Sequence, residues 1–202
     1  MEAGGHIGPV ATSVLAQEIL PELASELPIF VAGGMLGHAE TLDTFESYDP
    51  ETGELLVGNR DGLLRLKDGE PSRWLIKSPG GSADDVCAVV RDRDGVIWCG
   101  FAQGGLARLD GAELTVFRRS DGLGSDAVQC LFADEDGSLW IGTADSGLTR
   151  FKNGRFTHIN RAQGLADDVV SFILDDGAGY FWLSTHHGIQ RVAKDELHRC
   201  AD

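Results

Sequence analysis

From about residue 48 onward the chain alternates apolar and polar positions in short stretches of five or six residues, each set off by a polar, glycine-containing turn. Alternation with a period of two over so few residues predicts half-buried β-strands. In the clearest copy the pattern predicts one strand over Val128 to Ala133, a turn at Glu135-Asp136-Gly137 and a second strand over Ser138 to Thr143. Asp145-Ser146-Gly147 then turns the chain into Leu148 to Lys152, and Asn153-Gly154 turns it again into Arg155 to Ile159. Asp-Gly and Asn-Gly suit tight hairpins, because both central residues of a type I′ turn need φ > 0. Four short antiparallel strands per copy are expected. Trp140 lies on one face of the second strand, with Leu139 and Ile141 on the other, as a sheet covered on both sides requires.

The copy repeats. Trp98, Trp140 and Trp182 are evenly spaced (140 − 98 = 42; 182 − 140 = 42), and so are Val86, Val128 and Val170. Gly80, Gly122 and Gly164 keep the same step, as do Gly53, Gly95, Gly137 and Gly179 at the turn before the second strand. Gly58, Gly100 and Gly142 follow, with Ser184 in the fourth place, and Arg65, Arg108, Arg150 and Arg191 recur in the third strand. A period in the forties with four strands per unit is the mark of β-propeller blades, which bury both faces only by stacking on one another. The expected fold is therefore mainly β, with about four four-stranded blades over roughly 44–85, 86–127, 128–169 and 170–202, in a closed ring or an open arc. An open arc would leave blade faces exposed and prone to self-association.

Composition narrows function by exclusion. The 202 residues are 42% hydrophobic and 24% charged, ordinary for a globular chain, and the 27 glycines agree with a fold full of turns. A formal charge of −15 argues against nucleic acid or an anionic membrane surface as a partner. No apolar run is long enough to span a bilayer, and the N-terminus lacks the basic-then-apolar order of a signal peptide, so the chain reads as cytoplasmic. Cys87, Cys99, Cys130 and Cys200 lack Cys-x-x-Cys spacing, and buried free thiols are favoured over disulfides or metal ligation.

The first 36 residues differ. Gly4-Gly5-His6 opens them, Val14, Leu15, Ile19 and Leu23 recur at helical spacing, and Pro28 to Ala32 forms a short apolar stretch running into Gly33-Gly34. Glycine loop, helix, strand and glycine loop together predict a short α/β segment of the βαβ kind. Residues 37–47 are polar and predict a linker leading into a weak first strand.

Two resemblances are carried by these residues. Glu2-Ala3-Gly4-Gly5-His6-Ile7-Gly8 with Pro28-Ile29-Phe30-Val31-Ala32-Gly33-Gly34-Met35 resembles the nitronate monooxygenase (2-nitropropane dioxygenase) flavin enzymes, over residues 1–36 only. That resemblance implies a remnant of an FMN-binding TIM barrel, with His6 as catalytic base and Gly5, Gly33 and Gly34 offering backbone N–H groups to the cofactor. The residue-level alternative is that His6 is a solvated residue of an N-terminal tail. Asp136-Gly137-Ser138-Leu139-Trp140-Ile141-Gly142-Thr143 with Gly147-Leu148-Thr149-Arg150-Phe151, preceded by Asp121-Gly122-Leu123, resembles the two-component regulator propeller repeat. It implies a ligand-sensing propeller of the kind found outside the membrane, in the periplasm or extracellular space. The first unit departs from it with Leu56 in the tryptophan place.

Candidate chemistry in the repeats is sparse. His186-His187 stands near Asp175 and Asp176, but adjacent residues point opposite ways in extended chain, so an exposed turn is expected and no metal. Asp84-Asp85, Asp126 and Asp167-Asp168 recur before each first strand and are expected to cap turns, with a cation-holding ring as the alternative. The recurring arginines are expected to pair with a neighbouring blade's aspartate or to be solvated, with a ligand-lined channel as the alternative. No Ser-His-Asp, Cys-His or P-loop arrangement is present. The expected function is a noncatalytic module binding a small-molecule or protein ligand, with no cofactor. The alternatives are an FMN-dependent oxidoreductase fragment, and a truncated or misjoined reading frame without function of its own.

Overall fold

In the computed structural model, the structure describes residues 45–49, 53–59, 62–67, 70–77 and 85–202. Strands β1 (Phe45–Asp49), β2 (Glu54–Asn59), β3 (Gly62–Lys67) and β4 (Glu70–Lys77) form the first sheet. The second contains β5 (Val86–Arg91), β6 (Ile97–Phe101), β7 (Gly105–Asp110) and β8 (Glu113–Phe117). The third contains β9 (Val128–Ala133), β10 (Leu139–Thr143), β11 (Leu148–Lys152) and β12 (Arg155–Ile159). In each sheet the strands follow in chain order and pair antiparallel with the next, which is a propeller blade. β1 begins at Phe45, inside the stretch expected as a linker and weak first strand.

The fourth blade ends differently. β13 (Phe172–Asp175), β14 (Tyr180–Thr185) and β15 (Gly188–Ala193) make a three-stranded sheet, and the chain then enters helix α1 (Lys194–Ala201) where the other blades have a fourth strand. Lys194 to Ala201 carries Leu197 and Ala201 on one side, at 2% and 5% exposure, and both join the core between blades three and four. Asp195 and Glu196 sit in the first turn and Arg199 in the last, where the helix dipole favours them.

Stacking uses the two faces of each second strand. Leu56 of β2 packs with Ile97 and Cys99 of β6; Trp98 from the other side of β6 packs with Leu139 and Ile141 of β10; Trp140 from the other side of β10 packs with Phe181 and Leu183 of β14. All five residues of β6 and of β10 are therefore buried. The first strands run beside one another, β1 by β5, β5 by β9 and β9 by β13. Among the described residues no contact of similar extent joins β13, β14 or β15 back to the first blade, so the described blades form an arc.

Close stacking explains the recurring glycine of the second strand. A Cβ on Gly142 would lie 2.4 Å from Cys130 Sγ and 2.5 Å from the Val170 carbonyl oxygen of the next blade. The carbonyl cannot swing aside as a flexible side chain could. Gly142→Ala is expected to cost about 1–3 kcal/mol by overpacking, read from the shift of the urea midpoint at unchanged m-value. At Asn153 and Gly154, with φ of 52° and 77°, the type I′ hairpin reading holds. At Asp136-Gly137 only Gly137 has positive φ, 80°, and the turn is a longer one in which the Gly137 N–H donates to the Asp134 carbonyl and the Asp134 N–H to that of Ser138, not the type I′ turn expected.

Candidate functional site

The recurring arginines sit directly across from the recurring tryptophans. Trp98 is opposite Arg108, Trp140 opposite Arg150 and Trp182 opposite Arg191, so each pair shares one face of its blade. The Arg108 guanidinium lies 5.8 Å from the Trp98 ring and 2.6 Å from Asp110; that of Arg191 lies 3.6 Å from the Tyr180 ring and 3.0 Å from Asp176. For these two the partners belong to the same blade, whereas Arg150 meets Asp202, an aspartate of the following unit, as the expected pairing with a neighbouring blade's aspartate has it. Arg108 and Arg191 lie along their own hairpins, where the nearest carboxylate is local, while Arg150 is met by the residues at the end of α1. An ion pair between blades does form elsewhere, from Arg91 to Glu54 at 2.5 Å.

The acids before each first strand act as caps. Asp126 Oδ1 accepts the Arg119 N–H at 2.8 Å and Asp168 Oδ1 accepts the Arg161 N–H at 2.9 Å, each closing the short 3-10 turn that enters the next blade. Asp167 accepts the Val169 N–H, and its Oδ2 lies 2.7 Å from His187 Nδ1. Although burial alone would raise the Asp167 pKa, the bonds from His187 and the backbone hold it below the usual carboxylate range. His186 and His187 occupy an exposed turn and do not converge on one point. The Asp85 carbonyl accepts the Ala102 N–H, while Asp84 lies outside the described residues.

A second series of acids escaped the sequence reading. Asp92, Asp134 and Asp176 end or follow the first strands at the same step (134 − 92 = 42; 176 − 134 = 42). Asp92 accepts the N–H groups of Asp94 and Val96 with one oxygen and the Trp98 indole N–H, at 2.8 Å, with the other. Asp134 repeats this with Glu135 N–H and, at 3.4 Å, the Trp140 indole. The spacing was the available signal, and the more conspicuous tryptophans six residues on carried the reading instead.

At the third blade this position becomes the centre of a charged cluster under α1. Lys194 Nζ lies 2.8 Å from both Asp134 Oδ1 and Asp175 Oδ2, joining blades three and four. Burial would lower the Lys194 pKa, but these two carboxylates outweigh it and raise it. Lys152 Nζ lies 2.6 Å from Asp136 Oδ2, and despite its partial burial the Asp136 pKa is held down to about 2 by bonds from Lys152 and Ser138. Arg150, only 5% exposed, donates to the Ala201 carbonyl at 3.0 Å, to Asp202 at 2.6 Å and to His198 Nδ1 at 3.3 Å.

Asp134, Asp136 and His198 bring donor atoms within 4.8 Å of one another, which is close enough for a shared metal ion. The surrounding charge opposes one. Lys194 and Lys152 already sit on the two carboxylates and Arg150 on the imidazole, so a divalent cation would displace two ammonium groups and face a guanidinium. The arrangement is that of a clasp between α1 and the third blade.

All four thiols are free; Cys99 and Cys130 are buried and Cys87 half-buried, while Cys200 on α1 is exposed and not buried as expected. Cys87 donates to the Val128 carbonyl at 2.9 Å, and burial, with Asp85 adding, pushes its pKa up to about 12. Burial pushes Cys130 up to about 12 as well and Cys99 well above its ordinary value, so none of the three supplies a thiolate near neutral pH. A cavity of about 460 Å³ lies between β12, β15 and α1, lined by Ile159, Leu165, Gln190, Val192, Leu197 and Cys200 among others. Gln190 is tied there, accepting the Ala166 N–H at 2.8 Å and donating to the Gly164 carbonyl at 3.3 Å. His6, Gly5, Gly33 and Gly34, the residues implied for FMN, lie outside the described residues.

Comparison with known proteins agrees with the blade geometry. Residues 122–145 match the family model of the two component regulator propeller. No curated protein matches the sequence. The fold is similar to the extracellular domain of a putative hybrid two component system from B. thetaiotaomicron, with a TM-score of 0.64 at 20% identity over 78% of this chain and 23% of that one. A second such domain from B. thetaiotaomicron gives 0.51 at 21% identity over 79% and 30%. Virginiamycin B lyase from Staphylococcus aureus gives 0.55 at 13% identity over 77% and 57%. The chain thus spans under a third of the length of these two extracellular domains. Those two domains are extracellular, which gives the cytoplasmic expectation no support; no helix among the described residues is long and apolar enough to cross a membrane. The described residues form propeller blades, and residues 122–145 of them match the two component regulator propeller model.

Proposed function

We propose that this chain is a noncatalytic, ligand-binding propeller module of the two-component sensor type, working outside the membrane. The observation that carries this reading is the repeat match over residues 122–145, on blades whose polar side chains are largely engaged in caps, ion pairs and the clasp. Gln129 and Ser171, one step apart (171 − 129 = 42), are exposed at the first strands, where side-by-side strands bring repeated positions together. Such a row supports contact with a small molecule or a peptide better than it supports chemistry.

Two measurements test it. Amide-resolved NMR with pooled sugars, amino acids and short peptides should show perturbations gathered around Gln129 and Ser171; silence in every pool overturns ligand binding. Titration with FMN should give no retained flavin absorbance, whereas stoichiometric FMN would move the function to His6 and the glycines Gly5, Gly33 and Gly34.

A further inference from the structure

Because the blades repeat, one interface reports on another. Between blades three and four, α1 lays polar side chains on Asp134, Trp140 and Arg150. Lys194 Nζ lies 2.8 Å from Asp134, the His198 ring meets Trp140 edge-on at 5.3 Å, and Asp202 accepts from Arg150 at 2.6 Å. The same three residues stand one step back as Asp92, Trp98 and Arg108 (134 − 92 = 42; 140 − 98 = 42; 150 − 108 = 42). The turns carrying the two acids are alike. The Asp92 N–H donates to the Val96 carbonyl and the Gly95 N–H to that of Asp92, as the Asp134 and Gly137 N–H groups do to Ser138 and Asp134. The place of Lys194 belongs here to Asn153, since third strands of the last two blades run 41 apart (191 − 150 = 41; 194 − 153 = 41). Asn153 turns the chain into β12 and not into a helix, and the space over Trp98 is left open.

That space is a cavity of about 320 Å³, within the range of ligand pockets. Its apolar wall includes Trp98, Leu139 and Phe151, with the Trp98 and Phe151 ring centroids 5.2 Å apart. Of the charged side chains that line it, Arg108 lies 2.6 Å from Asp110, Asp134 2.8 Å from Lys194, and Arg93 4.0 Å from Asp94. Asp92 is different. Its oxygens accept the N–H groups of Asp94, Val96 and the Trp98 indole, and among the described residues no cation forms an ion pair with it. A carboxylate has about four acceptor positions, so one remains. At Asp134 an ammonium is bound while the indole N–H contact is kept. Arg108 does not bar a cation, because Arg150 and Lys194 both serve the third blade, each with its own carboxylate.

We propose that the cavity between blades two and three binds an aliphatic primary amine, its ammonium on Asp92 and its stem against Trp98 and Phe151, as Lys194 sits on Asp134 one blade on. Neither Gln129 nor Ser171 lines this cavity, and shifts at Trp98 and at that row are read in one spectrum, so the two sites stand or fall separately. The test is titration of the full chain with cadaverine at low salt, following the tryptophan indole N–H resonances by NMR. The Trp98 resonance should shift to saturation while that of Trp140 holds still. Pentanol, which lacks the charge, and glutarate, which reverses it, should leave Trp98 unmoved. Asp92→Asn, checked for native circular dichroism, should weaken cadaverine by roughly tenfold or more, the scale of a lost bond to a charged group. A lysine tripeptide separates two sources of such an amine: tighter binding than cadaverine assigns it to a peptide and weaker binding to a free amine, and both keep the proposal. An unmoved Trp98 resonance overturns it, as does an equal shift with pentanol or undiminished binding to folded Asp92→Asn. Should Asp92→Asn fail to fold, the comparison of cadaverine with pentanol and glutarate on the native chain decides.

Discussion

Trp140→Ala should destabilise the protein by about 3–5 kcal/mol, while Trp182→Ala, at the same place in the next repeat, should cost about 1 kcal/mol or less. Trp140 is fully buried, meets Phe181 and His198 edge-on at 5.8 Å and 5.3 Å, and gives its indole N–H to Asp134. Truncation removes the ring from a core closed on both sides, opens a cavity and leaves Asp134 short of a donor. Trp182 is 40% exposed, so alanine there loses less burial and creates no closed void. The shift of the urea midpoint at unchanged m-value gives both values. Equal losses would mean that the fourth blade's outer face is covered within a single chain.

Lys194→Met should cost about 3–5 kcal/mol, because it strands a buried carboxylate. The Asp134 side chain is 3% exposed and has Lys194 as its ammonium partner at 2.8 Å, with His198 at 3.9 Å as the next cationic candidate. The methionine stem can keep the packing of the lysine stem, so the loss reports charge and not volume. Asp134→Asn in the same chain should recover most of it, since the amide still accepts from the Trp140 indole while the stranded charge is gone. If Lys194→Met is silent while the double variant is destabilised, the clasp is a surface contact and α1 is held by Leu197 and Ala201 alone.

Much of this architecture was legible because it is local. Alternation places Leu148–Lys152 and Arg155–Ile159 as strands at the bounds observed, and Asn153-Gly154 is the turn between them. The tryptophan step assigns Trp140 and its neighbours Leu139 and Ile141 to opposite blade interfaces, which is where they pack. The site was less legible. Spacing alone does not separate the arginines: Arg108 and Arg191 meet carboxylates of their own blades, while Arg150 at the equivalent place reaches Asp202, because only the third blade has α1 lying over it.

What the sequence alone determined is the repeating unit: strand, Asp-Gly turn, tryptophan strand, third strand, each specified within a few residues by side-chain alternation and backbone preference. What the tertiary structure decided is whatever depends on a neighbour. The Lys194 and Asp134 side chains meet from sixty residues apart, and α1 takes the place of a strand that the repeat would have supplied. Trp140 and Trp182 occupy equivalent strands, yet one is sealed and the other open, since burial belongs to the pair of blades and not to the strand that carries the residue.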